Sequence, residues 1–158
     1  MVKSVVAVIL CVCVSFPLMA AESQPSFKVK YDGGSLQGAK AGADVRLFVD
    51  STSVRVLKDK TEIANIPSSS ITEISYGKDV HRRVGAAIGL AVVSLGIGAL
   101  MALTKSKKHF VGVTWANGEQ KGGFAMQCDK DDYRGVLSSL EGVSGKKAVN
   151  SDAMTVKN

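Results

Sequence analysis

Short runs of alternating apolar and polar residues dominate the first half of the chain, and this alternation predicts β-strands. Turn residues separate the runs, and Pro67 ends one of them because proline offers no N–H to a sheet. The spacing between runs, roughly 8–12 residues, is typical of an antiparallel meander. The predicted strands cover residues 27–31, 44–49, 54–57, 62–66 and 71–76.

Beyond residue 108 the alternation returns and then changes to helical spacing. Strands are predicted over 109–115 and 122–128, joined by Asn117-Gly118, a dipeptide typical of tight hairpins. An amphipathic helix follows, and Gly142 is expected to end it. The apolar residues of this helix recur at i, i+3, i+4 and i+7, and they are Tyr133, Val136, Leu137 and Leu140.

An uncharged segment, residues 84–104, lies between the two predicted β regions. As one helix it would be about 31 Å long, close to the thickness of a bilayer core. Its small residues include a GxxxG match, which permits close approach of helices. We therefore expect its glycines to serve membrane insertion or self-association, and they include Gly85, Gly89, Gly96 and Gly98.

Basic residues flank this apolar segment on both sides. Near an anionic membrane each Lys or Arg contributes about 1 kcal/mol of attraction. We expect them to contact lipid headgroups, and they are His81, Arg82, Arg83, Lys105, Lys107 and Lys108.

Three arrangements of the apolar segment are compatible with its composition. A single transmembrane helix would make a type I membrane protein, but it would leave too few elements on each side to bury a core. A re-entrant segment bent near residues 94–96 would keep the β region whole on one side. A buried glycine-rich helix or an oligomer contact is the third arrangement. We favour one helical insert attached to the membrane, with its topology left open.

The two ends of the chain carry no predicted strand or helix of the folded domain. Residues 1–20 combine basic Lys3 with a short apolar run and small residues, the order of a secretory signal peptide. We therefore expect export to the cell envelope, with residues 21–26 as a linker and 144–158 as a disordered tail. Beyond the signal peptide Cys128 is the one cysteine, which excludes an intramolecular disulfide there and predicts a small core residue.

The order of elements resembles the PH/GRAM-like (pleckstrin-homology-like) superfold from about residue 27 to 143. The resemblance rests on seven predicted strands, a terminal helix and the Ile-Pro-x-x-x-Ile-x-x-Ile pattern of Ile66 to Ile74. It implies a mainly β (α+β) fold, a small antiparallel barrel or sandwich interrupted by the apolar segment. It also implies recognition of phosphoinositides, peptides or membranes. Lys40 and Arg46 are too scattered to form the basic phosphoinositide cluster of this superfold.

These patterns favour a non-enzymatic, membrane-attached binding or scaffold module of the cell envelope. The net charge of +6 suits anionic lipid, and an envelope protein or a second copy of the chain is also a candidate partner. A nucleic acid partner is not expected, because export is predicted and the sequence lacks an aromatic-basic stacking pattern. Neither a cofactor nor a metal is expected, since the sequence has no catalytic or phosphate-binding motif. The competing hypothesis is an exported metal-dependent enzyme that uses His81, His109 and the acidic residues near 129–132.

Overall fold

Eight strands form one sheet in the computed structural model, which describes residues 24–78, 80–88 and 108–154. The strands are β1 (Ser26–Gly34), β2 (Asp44–Val49), β3 (Ser53–Lys58), β4 (Thr61–Pro67), β5 (Ile71–Tyr76), β6 (His109–Asn117), β7 (Gln120–Cys128) and β8 (Val149–Asn150). The helices are α1 (Val80–Ala87) and α2 (Tyr133–Ser144), with short 3-10 turns at Ser68–Ser70 and Asp152–Met154. The mainly β fold expected from the sequence is confirmed.

The sheet has the order β4-β3-β2-β1-β7-β6-β5-β8, and among the described strands β5–β8 is the one parallel pair. Within the described ranges the order is linear, so β4 and β8 are the two edges. Strand β1 joins the two halves by pairing with both β2 and β7, with a bulge between Tyr31 and Gly33. The turn expected at residues 32–35 is therefore wrong for Gly33 and Gly34. Gly34 has φ +139°, and a Cβ there would clash with the carbonyl oxygen of Gly123.

Inward-facing side chains of β1–β7 form the main core, and α2 packs against it through Val136 and Leu140, both fully buried. The predicted hairpin at Asn117-Gly118 is confirmed, since Asn117 pairs with Gln120 across a two-residue loop. The predicted end of α2 is corrected from Gly142 to Gly145. Gly145 adopts the left-handed φ of 68° and donates its N–H to the Glu141 carbonyl, an arrangement that terminates helices.

A second, smaller core lies on the opposite face of β6 and β7, beneath α1. Val80 and Val84 of α1 pack there with Phe110 and Ala125. Glycine makes this close packing possible, because a Cβ at Gly112 would lie only 2.6 Å from the Val80 Cγ1. The beginning of the predicted apolar insert therefore covers the outer face of the sheet.

The C-terminal residues are ordered beyond the point at which disorder was predicted. After α2 the chain forms β8 and a 3-10 turn, and Ser151 is buried. The prediction of a disordered tail is thus wrong for residues 144–154, because their polar groups find hydrogen-bond partners on β5 and α2. The predicted signal peptide at 1–20 and residues 89–104 of the apolar segment lie outside the described residues.

The two sides of the apolar segment belong to the same sheet. Strand β5 precedes the segment, β6 follows it, and the two strands are hydrogen-bonded neighbours. A single crossing would place these strands on opposite sides of a bilayer, so the type I single-pass arrangement is incompatible with this fold. Across residues 24–78, 80–88 and 108–154, no helix has both the length and the apolar character needed to traverse a bilayer.

Candidate functional site

His81, the first residue of the predicted basic flank, lies against the end of β1. Its Nε2 is 2.7 Å from Oδ2 of Asp32, and both side chains are largely buried. Despite this short distance, the geometry of the pair is not that of a hydrogen bond. The imidazole also meets the Phe110 ring edge-on, at 5.4 Å between centroids. His81 therefore fixes the start of α1 to the sheet.

Arg83 is bound to β5 by a bidentate ion pair. Its Nε and Nη2 donate to Oε1 and Oε2 of Glu73 at 2.9 and 2.8 Å. This fork is the strongest geometry that a guanidinium and a carboxylate adopt. The hydrogen bond to Glu73 raises the pKa of Arg83 above its ordinary value. Arg83 thus holds α1 on β5 in this structure.

The remaining flanking residues differ from these two in their surroundings. Arg82 is exposed, and no ion pair joins it to another described residue. Lys108 lies half-buried immediately before β6. Lys105 and Lys107 lie outside the described residues, so their contact with headgroups stays a prediction.

The glycines assigned to insertion or self-association fall in two groups. Gly85 is buried on α1, the helix that packs against β6 and β7. Gly89, Gly96 and Gly98 lie outside the described residues. A role for these three positions in the membrane or in self-association stays a prediction.

The histidines proposed for an enzyme or metal site pack against different elements. His81 contacts Phe110 on the α1 side of β6, whereas His109 stacks on Tyr133 of α2, with 4.5 Å between centroids. Adjacent residues of a strand face opposite sides of a sheet, which explains the separation. Among the described residues no group of three or more His, Cys, Asp or Glu side chains is arranged to hold a metal ion.

Tyr133, which stacks on His109, and the nearby Cys128 are both weak acids. Burial, together with smaller contributions from the carboxylates of Asp132 and Asp129, raises the pKa of Cys128 to about 12. Burial also raises the pKa of Tyr133, whose ring meets that of Tyr76 edge-on at 6.3 Å. Both groups therefore stay neutral near pH 7, and Cys128 is the core residue that the sequence predicts.

The outer edge of β5 carries contacts that the sequence did not reveal. Strand β8 pairs with this edge at Ser75 and Tyr76, and Ser151 donates its backbone N–H to the Tyr76 carbonyl at 2.7 Å. The Asp152 carboxylate accepts the Lys78 backbone N–H at 2.6 Å. The available sequence signals were Gly145 and the short apolar-polar stretch after it. A strand of two residues is too short to be recognised from the alternation of its side chains.

Comparison with known proteins supports the architecture. No protein-family model matches the chain, and no curated protein matches its sequence. Its fold is similar to that in the solution structure of the C-terminal phosphotyrosine interaction domain of APBB2 from mouse. The likeness has a TM-score of 0.52 at 14% sequence identity and covers 83% of this chain and 93% of that domain. At this identity it shows the fold alone, and that fold is PH-like.

Proposed function

We propose that this chain is a non-enzymatic binding or scaffold module held at a membrane of the cell envelope by its apolar segment. The PH-like fold is one used by interaction domains, and the similar mouse structure is named as one. Fold alone does not specify a ligand. The proposal therefore depends on how the two ends of the apolar segment, at Ile88 and Lys108, are attached to the folded domain.

The observation that carries the proposal is the attachment of both ends of the segment to one folded domain. At one end, α1 packs on β6 and β7, with Ile88 beside the second of these strands. At the other end, Lys108 directly precedes β6. The described residues on either side of the segment thus lie on the same side of any bilayer that the segment enters, which supports a re-entrant or interfacial attachment.

The flanking residues divide into two roles under this proposal. His81 and Arg83 are occupied by Asp32 and Glu73, so their main contribution is to hold α1 on the sheet. Arg82 is exposed and is the described residue of the flanks best suited to meet an anionic headgroup. Lys105, Lys107 and Lys108 complete the proposed headgroup contacts.

Vesicle flotation of the full chain tests the attachment. We expect the protein to float with neutral phosphatidylcholine vesicles through its apolar segment and more completely when phosphatidylglycerol is included. Arg82→Gln should weaken the preference for anionic vesicles about fivefold, equivalent to about 1 kcal/mol. Arg134→Gln is the matched control, because Arg134 is an exposed arginine on α2. The proposal would be refuted if the protein stayed in solution without detergent and bound neither type of vesicle.

Labelling of single cysteines tests the sidedness. Lys60→Cys in the β3–β4 turn and Gln120→Cys at the start of β7 are placed separately in a chain whose native cysteines are serine. Lys60 lies in a turn of the same sheet that contains Gln120, so an impermeant maleimide should reach both positions from the same side of a sealed membrane. Labelling of the two positions from opposite sides would contradict attachment by a segment that enters and leaves the membrane on the same side.

A further inference from the structure

The orientation of α1 on the sheet is fixed from both sides. On one side, the Nε2 of His81 lies 2.7 Å from the Oδ2 of Asp32 on β1. On the other side, Arg83 forms its bidentate ion pair with Glu73 of β5. Strands β1 and β5 flank the β7–β6 pair that α1 covers. The helix therefore cannot roll about its axis without breaking one of these contacts, and its exposed face has a defined direction.

Arg82 and Ala86 form this exposed face of α1. They are four residues apart, which places them on the same side of a helix, and both are exposed. Val80 and Val84 have the same spacing and are buried against the sheet. The exposed face therefore presents a cation and a small apolar side chain to the surroundings of the domain.

The apolar segment leaves and rejoins the domain near opposite ends of β6. Ile88 lies beside Gly123, whose partner on β6 is Thr114. Lys108 directly precedes β6 and is six positions before Thr114. At about 3.3 Å per residue, the two attachment points are about 20 Å apart along the strand. The helix α1 lies on the outer face of the sheet between them.

The chain between these two points is too short to cross a bilayer and return. Positions 89 to 107 comprise 19 residues, whereas one helical crossing takes about 20. Because β5 and β6 are neighbours in one sheet, any crossing by the segment has to be matched by a return. A bilayer that receives the segment therefore lies close to both attachment points, on the side of the sheet that carries α1.

Lys121 adds a second cation to this side of the domain. Gly123 faces α1, since a Cβ there would lie 3.1 Å from the Val84 Cγ1. Alternate residues of a strand share a face, so Lys121 lies on the same face of β7, two positions from Gly123. It is exposed, and no ion pair joins it to another described residue.

The acidic residues are placed so that they do not cancel these cations. Asp32 and Glu73, the acids in contact with α1, are already occupied by His81 and Arg83. Three further acids directly precede α2, the helix on the opposite side of the sheet, and they are Asp129, Asp131 and Asp132. The α1 side is therefore the better match to an anionic surface.

We propose that the exposed face of α1, together with Lys121 of β7, is the surface of the domain that lies against an anionic bilayer. This inference rests on the proposed membrane attachment and names the surface that makes it. Arg82 and Lys121 contact anionic headgroups, and α2 lies on the side of the domain away from the membrane.

A fluorescent label on α1 tests this surface in the full chain. Ala86→Cys carries an environment-sensitive dye, in a chain whose Cys11 and Cys13 are serine and whose buried Cys128 is retained. Ser138→Cys is the matched control, because Ser138 is exposed on α2. On vesicles of phosphatidylcholine and phosphatidylglycerol, we expect acrylamide to quench the dye at position 86 several-fold less than in their absence. Quenching at position 138 should not change.

A pair of lysine variants tests the charge without a label. Lys121→Gln should weaken binding to the same anionic vesicles about fivefold, because one cation leaves the headgroup surface. Lys147→Gln is the matched control, since Lys147 is an exposed lysine beyond the end of α2. Both variants should bind pure phosphatidylcholine vesicles as the unmodified chain does.

The inference would be overturned if the dye at position 86 stayed as accessible on vesicles as in solution, or if the two lysine variants lost binding equally. Flotation of the unmodified chain separates this result from failure of the attachment itself. A chain that floats while position 86 remains accessible would overturn the proposed surface alone. A chain that does not float would refute the membrane attachment and this surface with it.

Discussion

Glu73 on β5 and Arg83 on α1 are joined by two parallel hydrogen bonds of 2.9 and 2.8 Å. The pair connects the last strand before the apolar segment to the helix with which that segment begins. Both side chains retain some exposure, 22% for Arg83 and 34% for Glu73, so solvent screens part of their attraction. Attachment of α1 to the sheet therefore combines this ion pair with the packing of Val80 and Val84.

Glu73→Gln should loosen α1 without unfolding the sheet. We expect a loss of about 1 kcal/mol in the free energy of unfolding, measured by urea denaturation, because one charge of the bidentate pair is removed. Asp44→Asn is the control, since it removes an acid from the solvent-exposed ion pair with Lys30. Equal losses in the two variants would contradict a structural role for the Glu73–Arg83 pair.

Two glycine substitutions should change stability in opposite directions. Gly112→Ala forces a Cβ against Val80, Ser75 and Val84, so we expect a loss of about 1–3 kcal/mol as α1 is displaced. Gly142→Ala meets no atom within 4 Å and lies inside α2, so the lower backbone entropy of alanine should add about 0.5–1 kcal/mol. Thermal denaturation of both variants measures the difference, and a stabilised Gly112→Ala would disprove the close packing of α1.

The turn between β2 and β3 should make stability depend on pH. The Asp50 carboxylate accepts backbone N–H groups of Thr52 and Ser53 at 2.9 and 2.7 Å. Hydrogen bonding, with the Thr52 backbone as the largest cause, lowers the pKa of Asp50 from its ordinary value of 3.8. A depressed folded pKa contributes stability that is present above the unfolded pKa and is lost as pH falls through the folded value.

Asp50→Ala should therefore lower the free energy of unfolding by about 1–2 kcal/mol at pH 7, and the difference should shrink below about pH 4. Asp50→Asn is the matched control, because it keeps an oxygen acceptor without a titrating charge. Urea denaturation between pH 3 and 7 gives the curves. Parallel curves for the unmodified protein and Asp50→Ala would exclude this source of pH dependence.

Cys128 should be chemically inert in the folded protein. Its thiol is buried and its pKa is raised to about 12, so the reactive thiolate is scarce at pH 8. With Cys11 and Cys13 replaced by serine, we expect a thiol reagent to label Cys128 only at the rate of unfolding. Lys121→Cys in a Cys128→Ser background should label at once, because Lys121 is exposed. Rapid native labelling of Cys128 would contradict its burial.

Local patterns determined the strands and the second helix. Strands β2 and β5 have the predicted bounds, and β6 places Val111 and Val113 in the core as the alternation requires. The stripe of α2 likewise buries Val136 and Leu140. Such patterns are readable because the side-chain period of a strand or a helix depends only on its own backbone.

Only the tertiary structure decided which of these elements meet. The outer face of β6 is complementary to α1 because Gly112 lacks a Cβ, and the end of β5 accepts Ser151 because Gly77 leaves room for it. These contacts join residues distant in the chain, so no periodicity within either segment reveals them. The sequence by itself determined a PH-like set of elements around an apolar segment. The pairing of β5 with β6 determined that both sides of the apolar segment share one domain, and the pairing of β5 with β8 determined that one sheet edge is occupied by the chain itself.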